Sequence, residues 1–199
     1  MSVSAKEVKA LRERTGAGMM DCKGALQETG GDLEAAVDLL RSKGAAKAAK
    51  RADRATNEGT VGYYLHHGGR IGVLVELNCE TDFVANTDEF RALAKDLSMH
   101  IAAANPLAVR PEDLPPELIE RERQVYLEQV REEGKPEAIR EKIVEGKMKK
   151  FFEESTLLKQ RFVKNPDQTI ENLITEITSK TGEKIQVARF ARLEVGVMG

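Results

Sequence analysis

The chain has 199 residues, of which 41% are hydrophobic and 32% charged; that suits a folded, highly charged protein with a real core and excludes wholesale disorder. Its 31 basic and 33 acidic side chains leave a net charge of -2, which argues against a globally basic nucleic-acid binder. Two cysteines, Cys22 and Cys79, exclude a disulfide framework and point to a reducing cytoplasm. No apolar run approaches the roughly 18 residues of a membrane helix, and Met1 to Glu7 carry no apolar signal-peptide core.

Charge is uneven along the chain. Residues 1–55 carry a net +3 and residues 56–109 a net -4, while residues 110–165 are charge-dense but balanced, as on a solvated helical surface. Ser4 with Glu7 forms a capping box that opens a first helix, with Val8 and Leu11 on one face and Gly16-Ala17-Gly18 at its end. Met19, Met20, Cys22, Ala25 and Leu26 give a second helical pattern, stopped by Gly30-Gly31. Asp32 caps a third, with Leu33, Ala36, Val37, Leu39 and Leu40, and Gly44 is expected just past its end. Ala45 to Arg51 then read as a helical or flexible linker. A bundle this small suits docking better than catalysis. Met19 and Met20 fit either core filler or an adaptable contact surface.

Thr60 to His67 reads as a strand with Val61, Tyr63 and Leu65 on one face. Gly68-Gly69 is a hairpin signal, and Arg70 to Asn78 alternates Ile71, Val73, Val75 and Leu77 against Gly72, Leu74 and Glu76. Cys79 to Ala85 is a connection. Asn86 with Glu89 is expected to open a long helix through Phe90, Leu93, Leu97 and Ile101, ended at Asn105-Pro106. Phe83 is the residue to weigh. It either folds back onto the core or projects, framed by Asp82, as an anchor for a partner, since aromatic anchors often dominate interface energy.

Two antiparallel helices joined near Gly134 follow, carrying Leu118, Ile119, Val125, Tyr126 and Val130, then Ile139, Ile143, Val144, Met148, Phe151 and Phe152. Asn165-Pro166 is expected to begin another helix, with Ile170, Leu173, Ile174 and Ile177. After Thr181-Gly182, Lys184 to Val195 alternates as a third strand pairing with the hairpin.

Catalytic signals are sparse. Gly134-Lys135 and Gly146-Lys147 are followed by Pro136 and Met148, which fails the phosphate-loop pattern. His66 and His67 are neighbours on a predicted strand and face opposite ways, so they do not share a metal. Nothing assembles a nucleophile, base and orienting group by spacing. A hydrolase or metal enzyme is disfavoured, no cofactor is expected, and the balance favours a protein that acts by binding.

A set of segments sharpens this. Leu11-Arg12-Glu13-Arg14-Thr15-Gly16-Ala17-Gly18-Met19-Met20-Asp21-Cys22-Lys23 and Asn78-Cys79-Glu80-Thr81-Asp82-Phe83-Val84-Ala85 both resemble bacterial elongation factor Ts. So do the segments from His67 to Val75, from Glu145 to Phe151 and from Arg189 to Gly196, in the same order and nearly end to end. That family is the exchange factor for the GTPase elongation factor Tu.

The resemblance implies an α+β fold. Residues 1–55 would be a three-helix module of the ubiquitin-associated type plus its linker. Residues 56–199 would be an antiparallel-sheet core flanked by helices, with a helical hairpin at 116–160 and a last strand at 184–195. It implies that Thr81, Asp82, Phe83 and Val84 displace the Mg²⁺ and phosphate site of elongation factor Tu·GDP, Phe83 as a wedge and Asp82 helping to hold the connection in place. Met19, Met20, Lys23 and His67 would supply further partner contacts. Gly24 and Ala188 depart from residues common in the family, a Lys and an Arg. Longer relatives carry two core subdomains and this chain reads as one, which implies a homodimer as a way to present both halves of the contact surface. The competing reading is a ubiquitin-associated-type adaptor that only tethers a partner.

Overall fold

The computed structural model describes residues 3–197. The fold is α+β. Among those residues the chain forms eight α-helices, a three-stranded antiparallel sheet ordered β1-β2-β5 and a two-stranded ribbon, β3-β4.

Helices α1 (Ala5–Thr15), α2 (Met19–Glu28) and α3 (Leu33–Ala49) open the chain. The Ser4–Glu7 capping box is present, and Gly16 closes α1 in the left-handed region at φ 66°. Asp32 caps α3 by accepting from the Ala35 N–H. Val8, Leu11, Cys22, Ala25, Leu26 and Ala36 make the core of this bundle. Helix α3 does not stop at Gly44, as expected, but continues to Ala49, so most of the expected linker is helical. Gly44 serves a close approach instead: a side chain there would start 2.7 Å from the Ser179 hydroxyl oxygen.

Strands β1 (Glu58–Leu65) and β2 (Ile71–Cys79) form the hairpin. Strand β1 ends before His66, whose N–H donates to Ile71 across the hairpin, and His67 sits exposed in the turn. Val73, Val75 and Leu77 are buried on one side of β2. On β1 the buried position is Gly62, so Val61, Tyr63 and Leu65 face away from the core. Gly62 is required there, because an added Cβ would lie 2.7 Å from the carbonyl oxygen of Ala94.

Helix α4 (Asp82–Ala85) is a single turn where a connection was expected. Helix α5 (Asp88–Ala104) follows. Its expected Asn86 cap is replaced by Thr87, whose hydroxyl accepts from the Phe90 N–H, while the Asn86 amide donates to the Asp82 carbonyl. Helices α6 (Pro116–Glu132) and α7 (Glu137–Ser155) form the expected hairpin around Val130, Val144 and Met148.

The helix expected from Asn165-Pro166 begins later. Strands β3 (Arg161–Phe162) and β4 (Asn165–Thr169) pair first, and α8 runs Ile170–Thr181. The physical reason is local: a residue before proline is pushed to extended backbone, which suits Asn165 at the start of β4. Strand β5 (Gln186–Glu194) buries Val187, then changes phase at Ala188 and Arg189, after which Phe190 and Arg192 are the more covered side chains.

The chain divides into two compact units. The first contains the chain up to Thr60 with Leu77–Leu93 and Asn172–Gln186; the second contains Val61–Glu76, Ala94–Glu171 and the chain from Val187. In the second unit His100 is fully buried. Its Nε2 donates to Gln160 at 3.0 Å and its Nδ1 accepts the Val163 N–H at 3.3 Å, which fixes a neutral ring. Burial lowers its pKa, against a smaller opposing pull from Gln160.

Candidate partner-binding site

The end of β2 delivers the chain into α4. A single helical turn is not stable by its own hydrogen bonds, so its neighbours must hold it. Thr81 is the N-cap: its hydroxyl accepts from the Val84 N–H and donates to a Glu183 carboxylate oxygen at 2.6 Å. The other Glu183 oxygen accepts the N–H groups of Glu80 and Thr81, at 3.2 and 3.1 Å. Cys79 donates its S–H to the Thr81 carbonyl, and Ala85 is buried beneath the turn. Burial, with the Glu183 carboxylate nearby, pushes the Cys79 thiol pKa up, so this is a thiol and not a thiolate.

On that base Phe83 projects into solvent with 82% of its surface exposed. Of the two placements open from sequence, core or surface, the structure shows the surface. Asp82 is exposed beside it and its carboxylate makes no hydrogen bond or ion pair among the described residues; Val84 is half-buried. The holding role expected of Asp82 falls to Thr81 and Glu183. Glu183, Arg54 and Lys184 were not singled out in the sequence. Glu183 lies some hundred residues beyond Thr81 with no spacing signal between them, and only the fold joins them.

Met19, Met20 and Lys23 sit on the outer side of α2, opposite buried Cys22, Ala25 and Leu26. Met20 is 77% exposed and Met19 46%, so neither is core filler. Among the described residues no hydrogen bond or ion pair ties these side chains to the α4 turn. They and α4 belong to the first unit, whereas His67 belongs to the second.

Other chemistry is dispersed. Among the described residues no group of three or more His, Cys, Asp or Glu side chains is placed to hold a metal ion. No helix is long and apolar enough to cross a membrane.

Sheet and helices thus define an α+β protein with an N-terminal three-helix bundle and an aromatic side chain presented on a capped turn. The family model for elongation factor Ts matches residues 32–197. The chain is 58% identical over 196 residues to elongation factor Ts of Syntrophobacter fumaroxidans, covering 98% of both chains. It is 58% identical to that of Desulfosudis oleivorans over 98% of both chains, and 57% identical to that of Geobacter sulfurreducens over 98% of this chain and 91% of the relative. The chain belongs to the elongation factor Ts family, and is a translation elongation factor of protein biosynthesis.

Proposed function

We propose that the chain binds the GTPase elongation factor Tu in its GDP-bound form and promotes release of the nucleotide. The observation that carries this is Phe83, a large apolar ring held in water on an anchored turn in a chain of this family. Its transfer into an apolar pocket supplies roughly 1.5–3 kcal/mol. A GTPase holds its nucleotide partly through Mg²⁺, which demands near-octahedral geometry at short distances, so small shifts of its ligands cost affinity. If the pocket opens only in the nucleotide-loosened state, factor and nucleotide weaken each other reciprocally. Each ~1.4 kcal/mol of that coupling is a tenfold loss of nucleotide affinity.

Thr81 and Val84 shape the turn, Phe83 is the wedge, and Asp82 is free to meet the partner. In this reading residues 1–55 are a ubiquitin-associated-type docking module, with Met19, Met20 and Lys23 on its contact side, and residues 56–199 are the core. His67, at the hairpin tip, touches a second part of the partner. The factor makes and breaks no covalent bond, needs no cofactor, contacts no nucleic acid directly and works in the cytoplasm.

A second copy of the chain completes the account. Val61, Tyr63, Leu65, Leu74 and Leu193 are all exposed, and Tyr63 and Leu193 are about three-quarters so, at 74% and 76%. Leu65 packs at Gly72 and Arg189 pairs with Glu76 at 2.7 Å, so the three strands share this outward face. An apolar sheet face of this kind is a surface for association. Self-association would present two α4 turns together.

The test is direct. The chain is mixed with elongation factor Tu carrying a fluorescent GDP analogue, and release is followed with excess unlabelled nucleotide. Release faster than the spontaneous rate is expected. An unchanged rate, with the two proteins co-sedimenting, would favour the adaptor reading.

A further inference from the structure

Glu183 and Glu80 exchange backbone contacts across a hundred residues of chain. The Glu183 carboxylate takes both N–H groups that enter α4, from Glu80 and Thr81, and the Thr81 hydroxyl as well. In return, the Glu80 carboxylate accepts the Lys184 N–H at 2.6 Å. That backbone bond is the largest cause of a Glu80 pKa below the ordinary carboxylate value, followed by the Arg54 guanidinium. Arg54 reaches Glu80 at 3.0 Å, and the Lys184 ammonium donates to the carbonyls of Ala52 and Arg54 at 2.6 and 2.9 Å. Three separate stretches of the first unit therefore meet: the chain leaving the N-terminal bundle, the turn that bears Phe83, and the turn after α8.

We propose that Glu183 is the positioning residue of the Phe83 turn, an inference that rests on the exchange reading of Phe83. Helix α4 is four residues long and cannot hold its own direction. Thr81 caps it at one N–H, and Glu183 fixes the cap itself. Three donors converge on one carboxylate, and charge-assisted bonds of this kind are about twice as strong as neutral ones. The Glu183 carboxylate bonds Glu80 and Thr81 while Phe83 stands exposed, so an effect of Glu183 on exchange passes through the direction in which the ring is held. The same carboxylate sits beside the Lys184 clamp on residues 52–54, so the docking module's exit is anchored at the base of the wedge.

The experiment uses the full chain with Glu183→Ala, Glu183→Gln, Phe83→Ala and the Glu183→Ala/Phe83→Ala double variant. Maximal GDP release from elongation factor Tu is measured at saturating factor, with amide hydrogen exchange of Val84 and Ala85 read in parallel. Glu183→Ala is expected to lower the maximal rate about tenfold, and its effect should vanish in the Phe83→Ala background. Glu183→Gln keeps one acceptor for the two N–H groups and should recover part of the loss. Val84 and Ala85 should exchange faster in Glu183→Ala, with Val73 and Val75 in β2 unchanged. If the two losses multiply in the double variant, or if Val84 and Ala85 keep wild-type protection, the positioning role is wrong. If the wild type itself fails to stimulate release, the exchange reading falls, while the hydrogen-exchange arm still decides whether Glu183 holds the turn.

Discussion

Phe83 and Phe90 are the same residue type seven positions apart, yet one is 82% exposed and the other fully buried. Phe90 lies on the apolar stripe of α5 with Leu93, Leu97 and Ile101, so helical periodicity carries it into the core. Phe83 lies on a single turn that has no stripe. Its direction is set by the Thr81 cap and the Glu183 carboxylate beneath it. Periodicity places a ring inside the molecule; a capped and anchored turn can keep one outside. Side-chain chemistry alone does not distinguish the two fates.

Removing the buried ring should have the largest effect on the fold. Phe90→Ala is expected to cost about 3–5 kcal/mol of stability, because the helix cannot collapse into the space left. Chemical denaturation, read by far-ultraviolet circular dichroism, checks it. A loss under about 1 kcal/mol would mean that Phe90 is not the core ring described.

The second exposed aromatic sharpens the contrast. Tyr63 projects from the outward sheet face of the second unit and Phe83 from the first. Tyr63→Asp places a charge on the exposed sheet face proposed above for self-association. Sedimentation velocity should show the wild type as a dimer and this variant shifted at least tenfold toward monomer, equivalent to about 1.4 kcal/mol or more. Phe83→Ala should leave self-association alone. Equal effects from both changes would erase the distinction between the two surfaces.

The smallest effect concerns the neutral, buried His100. Its pKa in the folded chain lies below the ordinary value of 6.5, so the unfolded chain takes up the proton first. The stability is intact above that ordinary value and is lost as pH falls through it toward the folded pKa. Protonated Nδ1 would oppose the Val163 N–H it now accepts. The thermal midpoint should fall by a few degrees, on the order of 2–4 °C per kcal/mol, between about pH 7 and about pH 5. The slope should be shallower in His100→Gln. Equal slopes would assign the acid sensitivity elsewhere.

Much of the fold was legible wherever a local rule acts alone. The Ser4–Glu7 box, the Asp32 cap and the alternation of β2 all stand where the sequence puts them. Gly44 misled because a glycine that looks like a stop is needed for closeness to Ser179. Asn165-Pro166 misled because a proline that can open a helix here lies in a strand of the ribbon. The segment Thr81 to Val84 stood out in the sequence as a motif, but the exposure of Phe83 was not legible there. The turn that bears Phe83 is bonded to Glu183, whose contact with Thr81 arises only when the chain folds back.

The central claim is that Phe83 acts on another molecule and contributes little to this one. The most direct measurement pairs two readouts on Phe83→Ala: its unfolding free energy and its stimulation of GDP release from elongation factor Tu. Stability should stay within about 0.5 kcal/mol of the wild type. Stimulated release should fall by about 10- to 150-fold, the rate equivalent of burying the ring. A variant that loses stability, or that releases GDP as fast as the wild type, would contradict the account.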